Sequence, residues 1–164
     1  MNDARRLTLA EVNDGAGSTD SRVAYLNNLG VTTRPPGGGY TVDNILEVSQ
    51  ALELMRAGFT GRQLQRIFAV QRAELAQYRS PAARLTALYE RYIETVVSLS
   101  EIFGKGEGFD EWHTRQQQQL EKMRSELAAS DRPSRRERRD DRLLRLFVAA
   151  NKEQRQNAAA PLAG

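Results

Sequence analysis

The stretch "GGGYTVDNILEVSQALELMRAGFTGRQLQRIF", Gly37 to Phe68, decides how the chain is read. Three glycines precede a tyrosine, and two helical patterns follow, joined by "RAGFTG". Ile45, Val48, Leu52 and Met55 are spaced three, four and three apart, which is one face of a helix. Gly58 fits its C-terminal cap, and Phe59 stands where a hydrophobic staple would precede the cap at Thr60. Leu64, Ile67, Phe68 and Leu75 mark the next helix. The loop before this pair is either a flexible link in a plain helical bundle or a tight reversal held beside a helix. Arg34 and Pro35-Pro36 stiffen its first side, and Gly37 to Gly39 allow positive φ.

Upstream, start signals are legible. Thr8-Leu9-Ala10-Glu11 has the capping-box pattern, repeated with glutamine at Thr60 to Gln63. Ser18 or Thr19 can cap a helix beginning near Asp20, and Thr41 one beginning at Val42. "NDGAG" separates the first two starts, so residues 8–29 read as helix, short turn, helix, with Val12 on the first and Val23, Leu26 and Leu29 on the second. The expected fold is all-α.

Composition removes several classes of function. The chain has 164 residues, 40% hydrophobic and 27% charged, without an apolar run of bilayer length or a signal-peptide core, so a cytoplasmic protein off the membrane is expected. There is no cysteine, which excludes disulfides and thiolate metal sites. His113 is the single histidine, expected to face solvent, and no metal site or cofactor is expected. No acid–base or nucleophile constellation stands out, so the chain is not read as an enzyme. The net charge of +3 is uneven: residues 131–164 carry nine basic and five acidic side chains. Of the 24 basic residues 21 are arginine, which suits bidentate phosphate contacts and is equally what a GC-rich genome produces.

Taken in order, "TLAEV", Gly17, "VAYLNNLGV", "GGGYTVDNI" and "AGFTGRQLQRI" resemble the DNA-binding domain of the MerR family over residues 8–68. The resemblance implies a winged helix–turn–helix, with the second helix in the major groove and the glycine loop as the wing. It implies DNA contacts by Tyr25, Arg34 and Tyr40. Thr19 and Ser21, at the start of the second helix, are candidate contacts beside them. The family's usual Ile-Arg-Tyr-Tyr-Glu is here Val23, Ala24, Tyr25, Leu26 and Asn27, so the family's arginine is missing. Arg22 is our own candidate for base contact. Arg5 and Arg6 form a possible basic arm.

The second half supplies a heptad-like seam of Leu85, Tyr89, Tyr92, Val96, Leu99 and Phe103, expected to pair two copies. Leu88, Ile93 and Ile102 widen it, which also allows packing on the chain's own helices. "GKGEG" breaks the helix as a hinge at 104–108; it lacks the Walker pattern. Trp112 would anchor a following helix carrying Leu120, Met123 and Leu127. The expected organisation is residues 1–78 as a DNA-binding domain and 79–128 as a helical dimerisation region. Residues 129–164 would then be a basic linker, an amphipathic "LLRLFVAA" that docks on the protein or a partner, and a disordered tail. The function expected is a homodimeric, sequence-specific regulator on a pseudo-palindromic site in double-stranded DNA. The alternatives are an architectural factor (excisionase-like, or a phage or plasmid segregation protein) and a helical adaptor for a protein partner.

Overall fold

The structure, a computed structural model, describes residues 6–129 together with Leu146 and Phe147. Among the described residues six helices follow one another: α1 (Leu9–Ala16), α2 (Asp20–Asn28), α3 (Val42–Arg56), α4 (Gly61–Leu75), α5 (Pro81–Phe103) and α6 (Phe109–Ala129). The all-α expectation holds at this level. Arg5, the basic linker and the tail lie outside the described residues.

The caps fall where the local chemistry puts them. Thr8 and Glu11 satisfy each other's backbone N–H, and Thr60 and Gln63 do the same. Thr19, and not Ser18, caps α2 through the N–H of Arg22. At Thr41 the backbone N–H donates to Asn44 Oδ1 at 2.8 Å. Ser80 caps α5 with Pro81 at the first helical position, where the missing N–H costs nothing. Gly104 ends α5 at φ +94°, so the break falls at the glycine loop read from the sequence.

Helix α3 departs from its pattern. The apolar spacing describes one face, yet every residue from Asn44 to Leu54 is buried. The reason is tertiary: α1, α2 and α5 all pack on α3, and the α3–α5 pair is the most extensive in the protein. Five polar residues therefore lie inside, namely Asn44, Glu47, Ser49, Gln50 and Glu53. Most of them are partnered. Gln50 and Gln71 exchange reciprocal amide hydrogen bonds at 2.9 Å, and Gln50 also donates to Thr95 Oγ1. Glu53 accepts from Arg56 at 2.9 Å, while burial pushes its carboxyl above the ordinary range.

The stripe on α5, expected to pair two copies, faces the chain's own core. Leu85, Tyr89, Tyr92, Val96 and Leu99 are buried within one chain, against α3 and α6, and only Phe103 of the six is exposed. Tyr92 stacks edge-on to Trp112, and Tyr89 donates its hydroxyl to Gln116. Phe147 packs on the same face, buried and with its ring edge-on to both tyrosines; the rest of the "LLRLFVAA" stretch except Leu146 lies outside the described residues. The five inner residues of the stripe are covered by the chain's own helices instead of standing open as a seam. Among the described residues one apolar cluster runs from Leu7 to Phe147, with members on both sides of residue 78. His113, expected to face solvent, is half-buried, 5.7 Å from the Phe109 ring.

Two substitutions test this placement. Tyr92→Ala should cost about 3–5 kcal/mol in urea unfolding, as for large aromatics removed from a core. Leu99→Asp puts a carboxylate in the same core and should unfold the whole chain. A folded, monomeric Leu99→Asp protein would contradict the burial.

Candidate nucleic-acid interface

The first two helices are short and joined tightly. Gly17 takes φ +67°, and its N–H and that of Ser18 both close on Asn13 O. Asn13 Nδ2 donates to Asp20 Oδ1 at 2.6 Å, which ties the end of α1 to the start of α2. Val12, Val23 and Leu26 are fully buried beneath them. Each such side chain contributes about 1.5–3 kcal/mol by leaving water, enough to hold helices too short to be stable alone.

With Val23 and Leu26 turned inward, Thr19, Ser21, Arg22 and Tyr25 are all exposed. They are not equally available. Thr19 Oγ1 is occupied as the cap and lies 3.4 Å from Ser21 Oγ. Tyr25 is 44% exposed, and its hydroxyl lies over the start of α4, 2.7 Å from where a Cβ on Gly61 would sit. The glycine of "GFTG" therefore leaves room for Tyr25. Two side chains of α4 complete the seat of α2: Gln65 Nε2 donates to Leu29 O, and Arg72 Nη2 to Gly30 O.

The glycine loop is held, not loose. Leu7 and Tyr40 form a two-residue antiparallel bridge, with hydrogen bonds of 2.8 and 3.0 Å. Gly37, Gly38 and Gly39 all have positive φ, and a Cβ on Gly39 would come within 2.9 Å of Arg6 Cβ. Arg6 is thus laid along the loop. The Arg34 guanidinium sits 4.4 Å above the Tyr40 ring, with its Nε donating to Gly39 O at 3.4 Å. Tyr40 is buried, and its hydroxyl accepts from Asn27 Nδ2 at 3.1 Å. Asn27 Oδ1 in turn accepts from Thr32 Oγ1.

Asn27 was not among the residues expected at this site, yet it joins α2 to both ends of the loop. In the sequence it reads as one more polar residue on a short helix. Thr33 fixes the loop to α3, since its N–H and Oγ1 both donate to the Glu47 carboxylate at 2.9 Å. Asn44 Nδ2 donates to the same group. Burial outweighs these bonds and pushes the Glu47 carboxyl up to about 7.

The structure brings Arg22, Tyr25, Arg34 and Tyr40 onto one connected unit, α2 with its loop. Among the described residues no group of three or more His, Asp or Glu could hold a metal ion, and no helix is long and apolar enough to cross a membrane. No protein-family model matches the chain, and no match was found among curated proteins or solved structures.

Glu47 has a measurable signature. Its folded pKa, about 7, lies above the unfolded value near 4.5, so between these pH values the folded state holds more proton. Its contribution to stability is present below about pH 4.5 and is lost as pH rises through 7, by on the order of a few kcal/mol. The urea midpoint of Glu47→Gln, relative to the parent protein, should therefore improve steadily across that window. A constant difference would show that the carboxyl titrates normally.

Proposed function

We propose that the protein binds double-stranded DNA in a sequence-specific way and acts as a transcriptional regulator, through a MerR-like winged helix–turn–helix in residues 8–68. The observation that carries the reading is the chain of contacts Arg34–Tyr40–Asn27, which fixes a cationic loop relative to the exposed face of α2. A helix that enters the major groove needs a backbone clamp at a set distance, because phosphate contacts position and base contacts specify. Arg34 is exposed and uses one of its five donors on Gly39 O, so the rest remain for phosphate. Arg22 and Tyr25 lie exposed on the helix that would read base edges. Thr19 and Ser21 sit at its N-terminus, where backbone N–H groups favour an anion.

The same reading takes a homodimer on a pseudo-palindromic site, in the cytoplasm at the nucleoid. Since the inner stripe of α5 is covered, the pairing surface must involve what that helix leaves open. Ile102 and Phe103, 72% and 57% exposed at its C-terminal end, are that part. An architectural DNA-binding role would use the same α2 and loop, and repeated direct sites in a genomic footprint would replace the regulator with it.

Binding to random and selected oligonucleotides, measured by fluorescence anisotropy over a salt series, separates the roles. Arg34→Ala should weaken both by similar factors and lower the slope of log affinity against log salt by about one. Arg22→Ala should flatten preference at one position per half-site, worth on the order of 1–3 kcal/mol, with random-sequence binding nearly intact. Absence of any salt-dependent binding in the parent protein would leave a helical adaptor as the reading.

Pairing is tested separately. Phe103→Asp should sediment as a monomer with unchanged helicity, and should bind a half-site as well as the parent does. A dimer that survives this change has its interface elsewhere.

A further inference from the structure

Below the loop lies a cavity of about 580 Å³, a size common for small-molecule sites. Its floor is apolar: Phe68 and Leu75 of α4, and Leu85 and Leu88 of α5, all buried side chains. Pro35, Val42 and Pro81 form the sides. Gln71 also faces it, but the amide of Gln71 is committed to Gln50 and leaves the stem as lining.

The rim is charged and unbalanced. Arg6, Arg72 and Arg84 stand around it, against Asp43 and Glu47. Arg84 donates to Tyr78 O and keeps its Nε 3.8 Å from Asp43, a distance that leaves the ion pair loose. Arg72 donates to Gly30 O. Each guanidinium has five donors, so both retain capacity. Glu47 is buried and its two oxygens are held by Thr33 and Asn44, which turns them away from pairing with the rim arginines. An apolar floor under a cationic rim selects one chemistry.

We propose that this cavity is a binding site for a small amphipathic carboxylate, an aromatic or branched aliphatic body carrying one anionic group. The body would cover Phe68, Leu85 and Leu88, and the carboxylate would meet Arg84 and Arg72, whose planar fork suits it. An amine of the same shape would face the guanidiniums with like charge. Thr33, Pro35 and Thr41, which line the cavity, belong to the loop that carries Arg34 and Tyr40. Occupancy would therefore bias that loop and, by reciprocity, DNA would change the affinity for the carboxylate. This coupling rests on the function proposed above; the site itself does not.

The test is an NMR titration of the ¹⁵N-labelled full chain with phenylbutyrate, phenylbutanol and phenylbutylamine. Phenylbutyrate should give saturable shifts at the amides of Thr33, Val42, Leu85 and Leu88, with affinity at least about tenfold above the amine. Arg84→Gln should bring the carboxylate down to the level of the alcohol and leave the alcohol unchanged. Leu88→Trp should fill the cavity and abolish binding of all three; where that variant does not fold, Val42→Trp at the half-buried side serves instead. Unsaturable shifts, shifts confined to the opposite side of α4, equal affinity for the three probes, or indifference to these substitutions would each overturn the proposal. A protein that binds DNA but no probe loses only the pocket, and one that binds phenylbutyrate but no DNA loses only the regulator.

Discussion

The enclosure of α3 sets the terms for the rest of the protein. A helix buried on all sides from Asn44 to Leu54 cannot leave its polar side chains in water, and an unpartnered buried group costs about 1–3 kcal/mol. The neighbours are therefore chosen by polar fit as well as by apolar contact. Gln50 requires Gln71 of α4 and Thr95 of α5, which fixes how those helices stand to α3. Glu47 requires Thr33, which brings the start of the glycine loop onto the core. The loop is positioned by a requirement of the core, and the rim of the cavity follows from it.

How much of this was legible depends on the range of the interaction. Capping is decided within four residues, and the threonines at 8, 19, 41 and 60 all stand at helix starts. The α5 stripe was legible as apolar spacing, but spacing says that a face is covered and not by whom. Leu85 to Leu99 meet α3, α6 and Phe147, contacts tens of residues away in sequence. The burial of Gln71, Gln116 and Gln119 was invisible for the same reason. Gln71 and Gln116 enter the interior where a distant partner, Gln50 or Tyr89, receives them, and a single sequence does not show the partner.

The candidate site divides in the same way. Arg34 and Tyr40 stand out because prolines and glycines surround them, and the cation–π contact between them spans only the loop. Asn27 carries no such marker. It reads as one more polar residue on a short helix, although it accepts from Thr32 and donates to Tyr40. The Leu7–Tyr40 bridge is one residue wide, too short to leave an alternating pattern, so the strand-like closure of the loop had no signal at all.

The glycines before so regular a helix answer a backbone requirement. The reversal needs three successive residues at positive φ, and at Gly39 the Arg6 stem leaves no space for a side chain. Glycine is favoured there, but it has the most conformational freedom to lose on folding, of the order of 0.5–1 kcal/mol beyond alanine at each position. A loop built this way would be mobile unless its flanks were tied. They are tied at every side: Thr33 to Glu47, Thr32 and Tyr40 to Asn27, Arg34 to Tyr40, and Tyr40 to Leu7. The ties use side chains at the flanks and leave Gly37 and Gly38 open, with nothing within 4 Å of where a Cβ would be. A tip without side chains on a clamped base is the shape that lets a backbone approach another surface closely. In the proposed reading that surface is the phosphate chain beside the groove occupied by α2.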